Sequence, residues 1–128
     1  MRLIFLLFGM LILAGCEQFT DNQAKIVTPE EMQILLQNER VQLVDVRTPE
    51  EYNDGYIENA INIDYYSPTF VEDIEKLDKE QPILVYCKSG RRSAKCSKIL
   101  EEAGFKKIYD LKGGFSTWKF KGFKIESK

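Results

Sequence analysis

The sequence is organised around residues 83–93, which read Ile-Leu-Val-Tyr-Cys-Lys-Ser-Gly-Arg-Arg-Ser. The first four are apolar and predict a buried strand, while residues 93–103 have helical spacing, so Cys87 lies in a loop between a strand and a helix. The first backbone N–H groups of a helix have no partner within it and favour negative charge. This stretch therefore predicts a site that holds an anion against a thiolate.

The N-terminal residues are typical of a secretory signal. Arg2 is followed by an apolar run, residues 3–13, and then by Ala14-Gly15-Cys16. The run is too short to remain in the mature protein as a membrane-spanning helix. We expect residues 1–15 to be a signal peptide.

The end of this segment, Leu13-Ala14-Gly15-Cys16, resembles the bacterial lipoprotein cleavage box. The resemblance implies that Cys16 becomes the acylated N-terminus and anchors the protein to a bacterial membrane on its extracytoplasmic side, periplasmic or cell-surface. The alternative is an ordinary signal peptide cut nearby, which leaves Cys16 as a free thiol. We expect residues 16–26 to form a lipidated, polar tether and residues 27–128 to form the domain.

Amino-acid composition limits the classes of protein to which this chain can belong. The 128 residues are 44% apolar and 30% charged with a net charge of −2, an ordinary mixture for one soluble globular domain. No basic stretch is interleaved with stacking aromatic residues, so nucleic acid is not an expected partner. The chain has no histidine and no Cys-x-x-Cys, so neither a zinc site nor a thioredoxin-type pair is predicted, and we expect no cofactor.

Acidic and basic residues are unevenly distributed along the chain. Residues 17–84 contain five Lys or Arg and sixteen Asp or Glu, whereas residues 85–128 contain twelve and four. Most of these charges are explained as solvated surfaces. Lys88, Arg91 and Arg92 flank Cys87, however, and are expected to attract small anions to it.

Predicted strands and helices alternate along the chain. Thr28-Pro29-Glu30-Glu31 and Thr48-Pro49-Glu50-Glu51 each predict a capped helix start. The predicted strands are residues 41–46, 60–63, 82–86 and 107–110; the other predicted helices begin at Ser67, Ser93 and Gly113. This order predicts an α/β fold with a mainly parallel central sheet flanked by helices.

The packing of several side chains is also predicted. Parallel sheets bind ligands at the carboxyl ends of their strands, where Arg47 and Cys87 fall. The apolar side chains expected to pack are Phe70, Val71, Ile74 and Leu77 on one helix, Phe115 and Trp118 after the Gly-Gly pair, and Phe120, Phe123 and Ile125 in the tail.

The residues around Cys87 indicate that its thiol can ionise and react. Thiolate is the reactive form of cysteine, and a thiol pKa can fall to roughly 3.5–7.5 near helix N-termini and cations. The N–H groups of residues 88–93 can surround the Cys87 sulfur, and Gly90 permits the tight path. The alternative is a buried, inert cysteine.

Four runs, taken together and in order, resemble rhodanese-homology domains, the family of single-domain sulfurtransferases. They are residues 43–52 (LVDVRTPEEY), 55–63 (GYIENAINI), 87–93 (CKSGRRS) and 113–118 (GGFSTW). The resemblance extends over about residues 27–123 and implies a three-layer rhodanese-like fold. Two departures lie outside the loop: Tyr56 stands where many members have histidine, and Asn59 stands where a second glycine is common.

The resemblance implies that Cys87 attacks a sulfane-sulfur donor such as thiosulfate or a polysulfide, carries the sulfur as a persulfide and gives it to a thiol or cyanide-like acceptor. The related phosphatases and arsenate reductases have a Cys-x5-Arg loop, which accommodates a tetrahedral oxyanion. The shorter Cys-x4-Arg loop here, Cys87 to Arg92, favours sulfur transfer. A sulfur carrier or partner-binding module without turnover is the alternative function.

The remaining residues near the loop each allow two roles. Arg92 is expected to stabilise the bound anion or to pair with a surface carboxylate. Lys88 and Arg91 attract substrate or are merely solvated, whereas Ser89, Gly90 and Ser93 shape the loop, with Ser93 a possible helix cap. Asp45 and Arg47 either position the loop or touch substrate. Cys96 is expected in the core, with a resolving thiol as the alternative, and the domain is expected to be a monomer.

Overall fold

A computed structural model describes residues 22–128, so Cys16 and the signal segment lie outside the described residues. Within these residues, five strands and five helices alternate, and every strand pair is parallel. The strands are β1 (Lys25–Val27), β2 (Gln42–Asp45), β3 (Ile61–Asn62), β4 (Ile83–Tyr86) and β5 (Ile108–Leu111). The helices are α1 (Pro29–Asn38), α2 (Pro49–Asp54), α3 (Phe70–Glu75), α4 (Arg91–Glu102) and α5 (Gly114–Phe120).

The sheet has the order β1-β5-β4-β2-β3, which puts β4 at its centre. Because side chains alternate along a strand, β4 serves two cores: Leu84 and Tyr86 pack with residues of α1 and α5, whereas Ile83 and Val85 pack with residues of α3 and α4. All four side chains are buried, as expected for a strand covered on both faces. The predicted three-layer α/β architecture is confirmed.

The predicted helix starts of α1 and α2 are confirmed. Thr28 and Thr48 each accept a hydrogen bond from the backbone N–H three residues later, and the side chains of Glu31 and Glu51 return to the cap. These reciprocal bonds satisfy N–H groups that the helices cannot. Local sequence therefore determined both boundaries.

The sheet begins earlier than predicted. Lys25–Val27, which we assigned to the tether and the first domain residue, pairs with β5, and Asn22 donates to the backbone oxygens of Glu101 at 2.8 Å and Phe105 at 3.3 Å. Residues 22–26 therefore belong to the folded domain rather than to a free tether. A three-residue edge strand has too few residues for a periodic pattern to identify it.

Other boundaries and packing predictions are corrected. Helix α3 begins at Phe70 rather than Ser67, and α4 begins at Arg91 rather than Ser93. Val71 is exposed, and Phe120 is 91% exposed, so neither packs as predicted. The predicted packing of the other side chains is confirmed: Phe70, Ile74, Phe115 and Trp118 are buried, and Leu77, Phe123 and Ile125 are partly buried against the cores.

No helix within residues 22–128 is both long enough and apolar enough to cross a bilayer.

Candidate active site

The centre of the site is the loop that joins β4 to α4. Cys87 directly follows β4, and Gly90 caps α4 in the left-handed conformation with φ of 109°. This conformation, which favours glycine, lets the Gly90 N–H donate to Cys87 Sγ at 3.0 Å. The predicted contact of a loop amide with the sulfur is therefore present at Gly90.

Ser93 is the second polar neighbour of the sulfur. Its side chain is buried, with Oγ 3.5 Å from Cys87 Sγ and donating to the backbone oxygen of Gly90 at 3.2 Å. Because α4 begins two residues earlier than predicted, Gly90 is the cap and Ser93 is not. Ser93 instead links the sulfur to the first turn of the helix.

Cys87 is 1% exposed and contacts the apolar core between the sheet and α4. Its sulfur is nevertheless held by the Gly90 amide and the Ser93 hydroxyl, unlike that of an inert core cysteine. Cys96, also buried, provides the contrast. Burial, with the charges of Asp110 and Cys87, raises the pKa of Cys96 to about 12, which favours the predicted core role over a resolving thiol.

Helix α5 supports the loop from its other side. The N–H of Phe115 donates to the oxygen of Cys87 at 2.8 Å, and that of Ser116 donates to the oxygen of Lys88 at 3.0 Å. Gly114 approaches so closely that a Cβ there would lie 2.5 Å from the oxygen of Cys87. This contact was not predicted from the sequence. The pair Gly113-Gly114 could have indicated it, because glycine allows two backbone segments to approach closely.

Asp45 and Arg47 form the predicted strand-end pair, and both are buried. Arg47 Nη2 donates to Asp45 Oδ2 at 2.7 Å and to the backbone oxygen of Gly55 at 2.6 Å, and its guanidinium lies 4.1 Å from the Phe115 ring centroid. The pair thus joins the end of β2 to the end of α2 and to α5. This geometry favours the positioning role over direct substrate contact.

Arg92 pairs with a carboxylate. Its Nη1 and Nη2 donate to the two oxygens of Glu51 at 2.7 and 3.0 Å, and this hydrogen-bonded guanidinium lowers the pKa of Glu51 from 4.5 to about 2. The ring of Tyr66 lies 5.7 Å from the guanidinium. The surface pair that the sequence left open is therefore formed, and it ties α4 to α2.

The remaining loop residues face solvent. Lys88, Ser89 and Arg91 are exposed, and neither Lys88 nor Arg91 forms an ion pair within residues 22–128. A cleft of about 230 Å³ opens beside the loop. Its lining includes Lys88, Lys119, Glu51, Asp54 and Ser116.

No group of three or more Cys, Asp or Glu within the described part of the chain is placed to hold a metal ion. The chemistry of the site is that of a cysteine at the start of a helix, at the carboxyl edge of a parallel sheet.

A sequence profile of the Rhodanese-like domain matches residues 28–121. The chain belongs to this family, as the sequence resemblance implied.

Individual relatives refine the comparison. The chain is 40% identical over 85 residues to "Thiosulfate sulfurtransferase GlpE" of Coxiella burnetii, which covers 66% of this chain and 78% of that protein. It is 36% identical over 110 residues to "tRNA uridine(34) hydroxylase" of Chlamydia felis, covering 81% of this chain but only 34% of that protein.

Solved structures agree on the fold. A rhodanese-related protein from Thermoplasma volcanium superposes with a TM-score of 0.73 at 26% identity, covering 81% of this chain and 99% of that chain. A rhodanese-like domain protein from Staphylococcus aureus gives a TM-score of 0.69 at 34% identity, covering 81% and 98%. Together, the family and its sulfurtransferase relative support a sulfurtransferase-type enzyme.

Proposed function

We propose that this protein transfers sulfane sulfur from thiosulfate, or a polysulfide-type donor, to a thiophilic acceptor through a persulfide on Cys87. The observation that carries the proposal is the 3.0 Å hydrogen bond from the Gly90 amide to Cys87 Sγ at the start of α4. A backbone donor and a helix N-terminus both favour an anionic sulfur.

The reaction has two steps. The Cys87 thiolate attacks the outer sulfur of thiosulfate, the sulfur–sulfur bond of the donor breaks, and sulfite leaves with the electron pair. An acceptor such as cyanide then attacks the outer persulfide sulfur, thiocyanate forms, and Cys87 leaves as a thiolate. No external oxidant or reductant is required, because each step is a nucleophilic displacement at sulfur. The electron pair of the broken bond leaves with sulfite in the first step and with the Cys87 sulfur in the second.

The surface around the loop suits anionic donors. Lys88 and Arg91 are exposed beside Cys87 and without ion pairs among the described residues, so their charges are available to attract a dianion such as thiosulfate. Arg92 is paired with Glu51 and is less available for this purpose. We therefore assign donor attraction to Lys88 and Arg91 and assign Arg92 to holding the loop.

The choice of thiosulfate rests on the relative from Coxiella burnetii, whose name states that activity. The hydroxylase relatives are matched over about a third of their length, so their activity supports no assignment here. The Cys-x4-Arg loop further favours sulfur over a tetrahedral oxyanion as cargo.

Transfer from thiosulfate to cyanide, followed as thiocyanate, tests the proposal. We expect Cys87→Ser to abolish turnover and Cys96→Ala, the matched control, to retain it. Intact mass after thiosulfate treatment should show one added sulfur atom on the wild type and none on Cys87→Ser. A stable adduct without turnover would indicate a sulfur carrier, and the absence of both would indicate a partner-binding module; either result would overturn the enzymatic proposal.

We also propose that acylated Cys16 anchors the protein to the extracytoplasmic side of a bacterial membrane. The support is the sequence Leu13-Ala14-Gly15-Cys16 after an apolar run. In a bacterial host, the wild type should incorporate a labelled fatty acid and sediment with membranes, whereas Cys16→Ala should do neither. Equal labelling of both proteins would contradict the assignment.

A further inference from the structure

One edge of the sheet carries an exposed apolar surface that the proposed reaction does not use. β1 is the outermost strand, so its outer side has no strand partner within residues 22–128. Ile26 on this strand is 69% exposed, and Ile34 on α1 is 59% exposed. Both line a shallow, mainly apolar groove of about 620 Å³ between β1 and α1, the edge groove, with Val27, Leu35 and Tyr109. Large apolar side chains that share one exposed groove indicate a contact surface.

The charged residues of the edge groove are Lys25 and Glu31. The Glu31 carboxylate is engaged in the cap of α1, where it accepts a hydrogen bond from Thr28 Oγ1 at 3.0 Å. Lys25 is exposed, and its ammonium group forms no ion pair within the described part of the chain. An apolar groove with a free ammonium group beside it is suited to the boundary between acyl chains and phosphate headgroups.

The chain enters the domain next to the edge groove. Asn22 Nδ2 donates to the backbone oxygen of Glu101 at 2.8 Å, and the Ala24 N–H donates to the Glu101 carboxylate at 2.7 Å. These bonds fix the chain at the end of α4, directly before β1. Asn22 is the sixth residue after Cys16, and six residues span at most about 21 Å in any conformation. A lipid on Cys16 would therefore keep the start of β1 close to the bilayer.

This reach is short compared with the width of the sheet. Neighbouring strands lie about 4.8 Å apart, so β3, at the opposite edge, is about 19 Å from β1. Ile61 on β3 is also exposed, but contact of that edge with the bilayer would require the linking residues to run almost fully extended around the domain. The edge groove needs no such extension, because it lies beside the point at which the chain enters.

We propose that the edge groove is a membrane-contact surface, in which Ile26 and Ile34 lie against the lipid and Lys25 binds lipid phosphate. The inference rests on the proposed acylation of Cys16 and goes beyond it. An acyl anchor alone leaves the orientation of the domain open, whereas an apolar groove beside the anchor selects the β1 edge as the face that meets the bilayer.

The edge groove orients an anchored domain and does not bind a membrane by itself. Two partly exposed isoleucine side chains bury too little apolar area to hold a protein on a bilayer without an anchor. The anchor supplies a high local concentration of lipid, so that a weak contact becomes populated. The predicted release of Cys16→Ala from membranes is therefore unchanged.

This orientation determines where the catalytic loop lies. The loop follows β4, which is two strands in from β1, so contact through the β1 edge holds the loop about 10 Å further from the bilayer than β1. The loop then lies in the aqueous layer above the lipid headgroups. We expect sulfur donors and acceptors to reach Cys87 from the aqueous phase rather than from the bilayer.

The test uses tryptophan as a reporter of lipid contact. The full chain is isolated from the membranes of a bacterial host and reconstituted into vesicles of phosphatidylethanolamine and phosphatidylglycerol, with or without bromine on the acyl chains, which quenches nearby tryptophan. Ile34→Trp places the reporter in the edge groove, and Val71→Trp, at a 56% exposed site on α3, is the matched control. Trp118 is buried and gives both variants the same background. We expect the quenched fraction to be about twofold larger for Ile34→Trp.

A second pair of variants tests the groove itself. In the Ile34→Trp protein, Ile26→Thr removes apolar area but keeps a β-branched residue on the strand, and quenching should fall by about half. Ile61→Thr, at an exposed site on β3, is the control and should leave quenching unchanged. Equal quenching of Ile34→Trp and Val71→Trp, or no effect of Ile26→Thr, would overturn the inference.

Two further outcomes identify what has failed. Concentration-dependent dimerisation of the detergent-solubilised chain that Ile34→Trp disrupts would assign the groove to a second copy of the chain and overturn the membrane contact. A protein that carries a fatty acid and sediments with membranes, yet shows equal quenching, would contradict the contact surface and leave the anchor intact. A wild type without a fatty acid would contradict both. Sulfur transfer plays no part in these measurements, so its assay tests the enzymatic proposal separately.

Discussion

Charged residues near the loop form one buried ion pair and one partly exposed ion pair, and the two pairs differ in how much they stabilise the fold. The guanidinium of Arg47 is enclosed with Asp45, and its remaining donor is satisfied by the Gly55 oxygen. The Arg92–Glu51 pair is partly open to solvent. Burial makes the loss of one partner costly, whereas solvent screens a pair at the surface.

Asp45→Asn should therefore be strongly destabilising. The substitution leaves the Arg47 charge buried without a counter-charge, and we expect the free energy of unfolding in urea to fall by about 3 kcal/mol. Asp73→Asn removes the carboxylate of the exposed Asp73–Lys76 pair and should cost less than about 1 kcal/mol. Similar losses in the two variants would show that the buried pair has no special role.

Glu51→Gln should reveal a pH-dependent contribution. Because the folded-state pKa of Glu51 is lowered from 4.5 to about 2, its stabilisation is present above pH 4.5 and is lost as pH falls through 2. We expect wild type to exceed Glu51→Gln by about 1 kcal/mol at pH 7 in urea unfolding, with a smaller difference at pH 3.

Glu31→Gln is the matched control, since Glu31 occupies the same capping position on α1 and glutamine can replace either glutamate in a capping box. A loss of stability in Glu51→Gln that does not depend on pH would contradict the assignment of the lowered Glu51 pKa to Arg92. An equal pH dependence in Glu31→Gln would contradict it as well.

At the scale of elements, α5 is the support of the catalytic loop. Its first N–H groups, which a helix leaves without internal partners, donate to the backbone oxygens of Cys87 and Lys88. The approach requires Gly114, with φ of 61°, because any Cβ there would meet the loop backbone.

Gly114→Ala should displace the loop and reduce sulfur transfer at least 10-fold, besides lowering stability by about 2 kcal/mol. The control is Gly122→Ala, where φ is 78° but a Cβ would meet no atom within 4 Å. It carries the same backbone strain without the clash, so kcat/KM for thiosulfate should be retained. Equal activity in both variants would contradict the supporting role of α5.

At the scale of the whole molecule, the parallel sheet gathers the site. The central position of β4 puts Cys87 between the ends of β2 and β5, which contribute Asp45 and Asp110. The loop is thus bounded by two buried carboxyl groups. One is paired with Arg47, whereas Asp110 Oδ1 is without a partner among the described residues.

The unpaired group should shape the pH dependence of global stability. The folded-state pKa of Asp110 is raised from 3.8 to about 6, so its favourable contribution is full below pH 3.8 and is lost as pH rises through 6. We expect Asp110→Asn to be more stable than wild type by about 3 kcal/mol at pH 7.5, with no advantage near pH 4, in urea unfolding. Asp54→Asn, at an exposed site, is the control, and an advantage independent of pH would contradict the titration.

The structural features that depend on short-range sequence patterns were predicted correctly. The capping boxes at Thr28 and Thr48 and the apolar run of β4 depend on neighbours within a few residues, and all three are confirmed. Asn59, a departure from the usual glycine, has φ of 67°, a conformation that asparagine tolerates better than most residues. Asparagine can therefore take the place of glycine here without loss of the turn.

The errors arose where distant partners decide. β1 has three residues and exists because β5, far along the chain, offers an open edge. Phe120 was expected to pack with the tail, yet it is the last residue of α5 and its side chain lies in solvent.

Sequence alone was enough to predict the α/β class, the order of strands and helices, the nucleophile candidate and the family, because these follow from local periodicity, capping and a contiguous loop. Three features were visible only in the folded protein: Arg92 pairs with Glu51, α5 donates to the loop, and Asp110 lies on the strand beside the one that carries Cys87. Each of those contacts joins residues that are well separated in the chain. Their energies depend on burial and distance in the folded sheet, which no local pattern encodes.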